Sequence, residues 1–117
     1  MSKERRNKEY LNDIKVSIER IASYTEGLTY DELMKDNKTQ DAVVRNLEVI
    51  GEATKNLSDS LRKKHPQIPW RDLTGVRDKL IHGYFRIDYD IVWNIITKEL
   101  PLLLPQIEEL LVNESNQ

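Results

Sequence analysis

Asp-Ala-Val-Val-Arg-Asn-Leu-Glu-Val-Ile-Gly-Glu-Ala-Thr-Lys-Asn-Leu, the stretch at positions 41–57, decides the class of fold. Its apolar residues recur at helical spacing and fall within an arc of about 140° when each residue advances the helix by 100°. No Pro interrupts the stretch, and Gly51 costs a helix roughly 1 kcal/mol relative to Ala. We therefore predict a long amphipathic helix over 41–57, with a close helical neighbour as the reason for Gly51.

The residues before this stretch predict two more helical segments. An apolar stripe runs through 4–24 and indicates a first long helix that Gly27 ends. Thr29 and Glu32 have the spacing of a capping box, which favours a short helical piece over Tyr30–Lys35.

The residues after the stretch continue the helical pattern to the end of the chain. A helix over 71–82 can end at Gly83, which is suited to the left-handed conformation beyond a helix. Pro101 and Pro105 predict a kink in the last helix. The remaining predicted elements are a short helix at 58–64, a loop over 65–70 imposed by two Pro residues, a final helix from Asp88 to about Val112, and a frayed tail over 113–117.

Four long helices joined by short connectors predict an all-α fold, an antiparallel up-and-down bundle in a single domain over 1–117 with no β-sheet. Four Gly and four Pro in 117 residues are too few for an all-β chain. The absence of Cys excludes a disulfide framework, a Cys-ligated zinc and thiol catalysis. The polar N-terminus and the lack of a long apolar run predict a cytoplasmic protein that does not contact a membrane.

The charge of the chain is unevenly distributed. The net charge is −2, but segment 62–86 holds seven basic and two acidic residues, a local balance of +5 that leaves −7 elsewhere. Such a patch can bind phosphate on an acidic protein, because screening acts over roughly 8 Å at physiological salt. A solvated charged face is the alternative. The candidate RNA-binding residues within the patch are Arg62, Lys63, Lys64, Lys79 and Arg86.

The predicted helix 71–82 concentrates the residues that could carry chemistry. Arg77 falls inside the apolar arc of that helix, so it must extend to solvent, pair with an acid or point into a cleft. Asp78 and His82 are four residues apart and would be neighbours on one helical face, with His82 in the last turn. Cleavage of RNA needs groups that take up and donate protons and a cation that stabilises the phosphate charge. No cluster of metal ligands accompanies these residues, so we predict metal-independent chemistry without a cofactor; an ordinary surface cluster is the alternative.

A family resemblance adds to this interpretation. The segment Arg77-Asp-Lys-Leu-Ile-His-Gly-Tyr84 reads R-x4-H-x-Y, which resembles the signature of the HEPN superfamily and of the HepT toxins that pair with a minimal nucleotidyltransferase antitoxin. The likeness spans nearly the whole chain. It includes Asn46–Ala53 in the second long helix, Ile68–Arg71 before the catalytic helix, and the two segments after that helix, His82–Asp88 and Ile91–Trp93.

The resemblance implies a function, a mechanism and partners. It implies a HEPN helical bundle and a homodimer that brings Arg77 and His82 of both subunits to one cleft, with Asp78 as the typical polar residue after the Arg. It also implies metal-independent cleavage of RNA, with tRNA the favoured substrate class, and silencing when the antitoxin transfers AMP from ATP to Tyr84. Arg86 departs from the pattern, which more often has a smaller residue there. A non-catalytic subunit that assists a partner nucleotidyltransferase is the alternative function.

Several other polar and aromatic residues receive structural interpretations. We interpret His65 as a loop residue, and Trp70 and Trp93 as core or interface anchors. Glu48 and Glu52 would form a solvated edge, although Glu52 could pair with a basic residue at the cleft.

Overall fold

The computed structural model describes residues 3–82 and 86–115, and the side chains within them except those of 3–5, 81, 82 and 115. The described chain is mostly helical, which confirms the all-α class. Its helices are α1 (Lys3–Thr25), α2 (Tyr30–Met34), α3 (Asn37–Lys55), α4 (Asp59–Lys64), α5 (Trp70–Thr74), α6 (Val76–Leu80), α7 (Tyr89–Asn94) and α8 (Leu100–Ser115), with a π-helical segment, Ile95–Glu99, joining α7 to α8. Two short strands, β1 (Ile81–His82) and β2 (Arg86–Ile87), lie between α6 and α7. No described helix is both long and apolar enough to cross a bilayer.

The core forms where α1 packs against α3 and α8. Asn7 near the start of α1 and Ser58 just after α3 exchange two hydrogen bonds, each of 2.9 Å, so α1 and α3 run antiparallel. Buried aliphatic side chains from these helices and from α7 fill the interior, among them Leu11, Ile14, Leu47, Ile50, Val92 and Ile107.

Side-chain caps fix the ends of several helices. Gly27 takes a φ of 75° beyond α1, as predicted for a residue that ends a helix. Thr29 and Glu32 form the predicted capping box at α2. Asp36 accepts a hydrogen bond from the Thr39 amide, so α3 begins at Asn37 rather than at 41.

The prediction of one long helix over 71–82 is wrong. Gly75 separates α5 from α6, because Gly favours a helix least among non-Pro residues. The helix ends at Leu80, whose carbonyl oxygen accepts a hydrogen bond from the Asp88 amide at 2.7 Å. The chain then forms an antiparallel β1–β2 pair, with Ile81 opposite Ile87 and His82 opposite Arg86. The prediction that the chain has no β-sheet is therefore also wrong. Gly83, the predicted end of the helix, lies outside the described residues.

The last long helix follows the prediction at its start and departs from it further on. Asp88 caps α7 by accepting hydrogen bonds from the amides of Asp90 and Ile91. The π-helical segment ends at Glu99, two residues before Pro101, and its wider turn accommodates a residue that has no amide hydrogen. Pro105 lies inside α8, which continues to Ser115, three residues beyond the predicted end.

Candidate active site

Arg77 lies on α6 and lines a groove of about 250 Å³ between α3 and the α5–α6 segment. Its side chain is exposed, although the neighbouring Val76 is buried. Of the options for an Arg within an apolar helical arc, Arg77 takes the position facing a cleft. It forms no ion pair with another side chain that the structure describes. We call this space the charged groove; its lining is Arg45, Glu48, Gly51, Glu52, Lys55, Thr74, Val76 and Arg77.

Gly51 sets the distance between the two walls of the charged groove. A Cβ atom at this position would lie 3.1 Å from the Leu73 carbonyl oxygen and 3.4 Å from a methyl group of Val76. The backbone of α5 therefore packs directly against α3, which confirms the predicted close neighbour. Because Arg77 follows Val76, this contact also positions the guanidinium group.

His82 and Asp78 are related differently from the prediction. They were expected one turn apart on one helix, but His82 lies in β1, outside α6, so the helical geometry on which that expectation rested does not hold. Asp78 is exposed on α6 and is not part of the lining of the charged groove. The His82 side chain and all of Tyr84 lie outside the described residues.

The predicted RNA-binding residues occupy several surfaces. Arg62 is paired with Asp59 at 2.6 Å, whereas Lys63 and Lys64 are exposed in the last turn of α4. Arg86 is exposed and its backbone pairs with that of His82. Lys79 lines a different groove from Arg77.

That second space, the apolar groove, has a volume of about 420 Å³ and separates α5 and α6 from the segment 95–106. Val76 contributes to both grooves, so they flank the same short helix. Leu102 lies on the wall of the apolar groove with 74% of its surface exposed.

Two basic residues of the charged groove, Arg45 and Lys55, were not predicted as site residues. With Glu48 and Glu52 they form a charged stripe along α3, spaced by three or four residues, beside Gly51. That spacing was visible in the sequence. Glu52 faces the same groove as Arg77, although no ion pair joins the two side chains.

The aromatic residues are structural anchors. Trp70 is buried and its Nε1 donates to the carbonyl oxygens of Arg62 and His65, which fixes the predicted loop ahead of α5. Trp93 is partly buried and packs edge-to-face with Tyr30 at 5.9 Å between ring centroids.

Tyr30 ties α2 to the start of α7, directly after the strand that carries Arg86. Its hydroxyl donates a hydrogen bond to Asp90. That bond raises the pKa of Tyr30 above its ordinary value, helped by partial desolvation and by the charges of Asp90, Asp88 and Asp31. Across the described residues, no three His, Asp or Glu side chains cluster as a metal site would require.

Comparison with known proteins gives the class of protein. A family model described as ribonuclease HepT-like matches residues 14–110. The chain is 42% identical over 106 residues to "Probable ribonuclease HepT" of Thermococcus cleftensis, a match covering 91% of this chain and 96% of that protein. It is 43% identical over 105 residues to "Putative RNase TTE0752" of Caldanaerobacter subterraneus, covering 90% and 94% of the two chains. No solved structure matches it.

The chain belongs to the HepT-like ribonuclease family, a group within the HEPN superfamily. Its membership makes it a ribonuclease, the class of enzyme predicted from the Arg77–Tyr84 segment.

Proposed function

We propose that this chain is the toxin ribonuclease of a toxin–antitoxin pair, and that it cleaves RNA, with tRNA the favoured class, without a metal ion. The observation that carries the proposal is the exposed guanidinium of Arg77 in the charged groove, free of ion pairs with the described side chains. A guanidinium group can hold two phosphate oxygens and stabilise charge that develops on phosphorus. His82, five residues later, would transfer protons at the ribose hydroxyl or at the leaving oxygen. Asp78, the acidic residue that follows Arg77, is the third residue that we assign to the catalytic set.

The decisive experiment is cleavage of a tRNA mixture by the purified protein in excess EDTA. We expect activity to persist in EDTA and to fall by about 10²–10⁴ in His82→Ala, the range for loss of one acid–base group. His65→Ala is the matched control, since the structure gives that residue a role through its backbone carbonyl. Loss of cleavage in EDTA, or equal loss in both variants, would contradict the proposal. If the parent protein does not cleave RNA at all, the non-catalytic subunit is the better account.

We further propose that the active enzyme is a two-fold dimer with Arg77 and His82 of both subunits at one cleft. One His at this position in each subunit supplies one proton-transfer group, and an isologous interface presents each residue twice. The apolar groove and the exposed Leu102 on its wall, across α6 from Arg77, offer apolar surface that a second subunit could bury. Sedimentation velocity should show a dimer at micromolar concentration; a monomer that retains full activity would contradict this arrangement.

Silencing would occur by transfer of AMP to Tyr84. The Tyr84 hydroxyl oxygen attacks the α-phosphorus of ATP, the bond to the β-phosphate oxygen breaks, pyrophosphate leaves, and the hydroxyl proton is lost to solvent. The added phosphate could then pair with Arg77 and occupy the place of the RNA phosphate. Mass spectrometry after incubation with the cognate nucleotidyltransferase, ATP and magnesium should find AMP on Tyr84. Tyr84→Phe should remain toxic and resist the antitoxin; neutralisation of Tyr84→Phe as readily as the parent would contradict the mechanism.

A further inference from the structure

A third groove, lined mostly by polar residues, lies at the C-terminal end of α3. It has a volume of about 330 Å³ and is formed by the start of α1, the end of α3 and the start of α4. Three of its residues are basic and one is acidic, and that acid, Asp59, is paired with Arg62. Arg6 and Lys55 are exposed and form no ion pair with a described side chain. We call this space the α1 groove; its lining is Arg6, Asn7, Tyr10, Lys55, Asn56, Leu57, Ser58, Asp59 and Arg62.

Lys55 joins the α1 groove to the charged groove, because its side chain lines both. Gly51, which packs against the Leu73 carbonyl oxygen and the Val76 side chain, precedes Lys55 by about one helical turn, or roughly 6 Å along α3. The two grooves therefore make one path on the surface, from Arg77 past Lys55 to Arg6.

The polar groups of the α1 groove are suited to a charged strand and poorly suited to reading bases. Asn7 uses both ends of its amide on Ser58, and the Asn56 amide nitrogen donates to the Glu52 carbonyl oxygen. The two Asn side chains that could read the edges of bases therefore already form hydrogen bonds within the protein. The positive charges of Arg6 and Lys55 remain available, as does the half-buried ring of Tyr10, and an aromatic ring accepts any base by stacking.

We propose that the α1 groove binds the RNA strand beyond the cleavage site, with Lys55 and Arg6 contacting successive phosphates and a base resting against Tyr10. This inference rests on the proposed ribonuclease function and extends its substrate site without adding sequence specificity. It predicts that affinity depends on strand length and on salt more than on base composition.

The test measures binding of fluorescent single-stranded oligoribonucleotides of increasing length to His82→Ala protein, so that cleavage does not interfere. Arg6→Gln combined with Lys55→Gln removes two charges from exposed positions, and Lys38→Gln combined with Lys98→Gln is the matched control at exposed positions outside both grooves. Removing two phosphate contacts should reduce the slope of log Kd against log salt by about 1.4, since each contact contributes about 0.7 on a single strand. The groove variant should also lose the gain in affinity that longer strands give the parent.

A salt slope and length dependence equal to those of the control variant would overturn the inference. So would a groove variant that binds RNA normally but no longer binds the partner nucleotidyltransferase, because the surface would then be a protein interface. Cleavage separates this inference from the proposed function, and Arg6→Gln is the variant to use because Arg6 lines the α1 groove but not the charged groove. If the inference alone fails, Arg6→Gln in the active background cleaves long RNA like the parent while His82→Ala does not. If the proposed function fails, His82→Ala and the parent behave alike.

Discussion

Arg77 shows at the residue scale how a charged side chain on an apolar helical face can be accommodated. Val76 and Leu80 are buried and anchor α6, while Arg77 emerges between them into the charged groove. An unpaired guanidinium can bind a phosphate without first breaking an ion pair, whereas a paired one must exchange partners.

We expect Arg77→Ala to lower the rate of RNA cleavage by about 10²–10³, the range for loss of one group that stabilises developing charge. Arg77→Lys should recover only part of this loss, because an ammonium group lacks the planar fork that holds two oxygens. Arg71→Ala is the control: Arg71 is exposed on the neighbouring helix but does not line the charged groove. Steady-state cleavage rates compare the three variants, and full activity in Arg77→Lys would show that charge alone is sufficient.

Tyr30 gives a second residue-scale prediction. The hydrogen bond to Asp90 raises the pKa of Tyr30 because it favours the protonated hydroxyl in the folded protein. This contribution to stability is present below the unfolded pKa of about 10 and is lost as the pH rises through the higher folded value. Asp90→Asn should move the pKa of Tyr30 back towards 10 and flatten the loss of stability above pH 10. Titration by NMR of the tyrosine ring carbons measures the pKa, and an unchanged value in Asp90→Asn would contradict the assignment.

At the element scale, the close packing of α3 against the α5–α6 segment depends on Gly51. The Leu73 carbonyl oxygen would lie 3.1 Å from a Cβ atom at Gly51, and a backbone oxygen of a packed helix cannot move as freely as the end of a side chain. We expect Gly51→Ala to cost roughly 1–2 kcal/mol of stability, since overpacking outweighs the gain in helix propensity. Cleavage per folded molecule should fall as well, because the shift of α5 displaces Arg77.

Gly27→Ala is the control for Gly51→Ala, because it separates a loss of stability from a displacement of Arg77. It forces Ala into a φ of 75°, but its Cβ atom would have no neighbour within 4 Å and it lines neither groove flanking α6. It should therefore lower the melting temperature while leaving cleavage per folded molecule unchanged. Thermal unfolding and active-site titration compare the variants; equal activity in both would show that Gly51 does not position Arg77.

The elements also show where sequence patterns stop being sufficient. Apolar periodicity and capping residues predicted α1, α2 and the centre of α3, because local interactions determine those helices. The end of α6 depends instead on the hydrogen bond from the Asp88 amide to the Leu80 carbonyl oxygen, eight residues apart. A helical pattern cannot reveal such a non-local competitor, so His82 was placed in a helix although it lies in a strand.

For the whole molecule, the sequence motif predicted Arg77 as a site residue but could not predict the surface around it. The patch over 62–86 is contiguous in sequence, yet the structure puts Arg77 and Lys79 in grooves on opposite sides of α6. Arg45 and Lys55 come to the site from α3. Which basic residues share a surface depends on how helices pack, and charge counted along the chain cannot show that.

The last prediction concerns the basic residues of α4 and tests whether the position of a charge, rather than the net charge, determines RNA binding. Lys63 and Lys64 are exposed in the last turn of α4, which begins at the edge of the α1 groove, whereas Lys38 and Lys98 are exposed at positions that line neither that groove nor the charged groove. On a chain of net charge −2, long-range attraction is weak, so RNA affinity must come from local contacts with phosphates. Lys63→Glu combined with Lys64→Glu should weaken binding of single-stranded RNA and make it less dependent on salt, while Lys38→Glu combined with Lys98→Glu changes the net charge equally with a smaller effect. Fluorescence anisotropy at several salt concentrations measures both pairs, and equal losses of affinity would mean that net charge, rather than the position of α4, governs the binding.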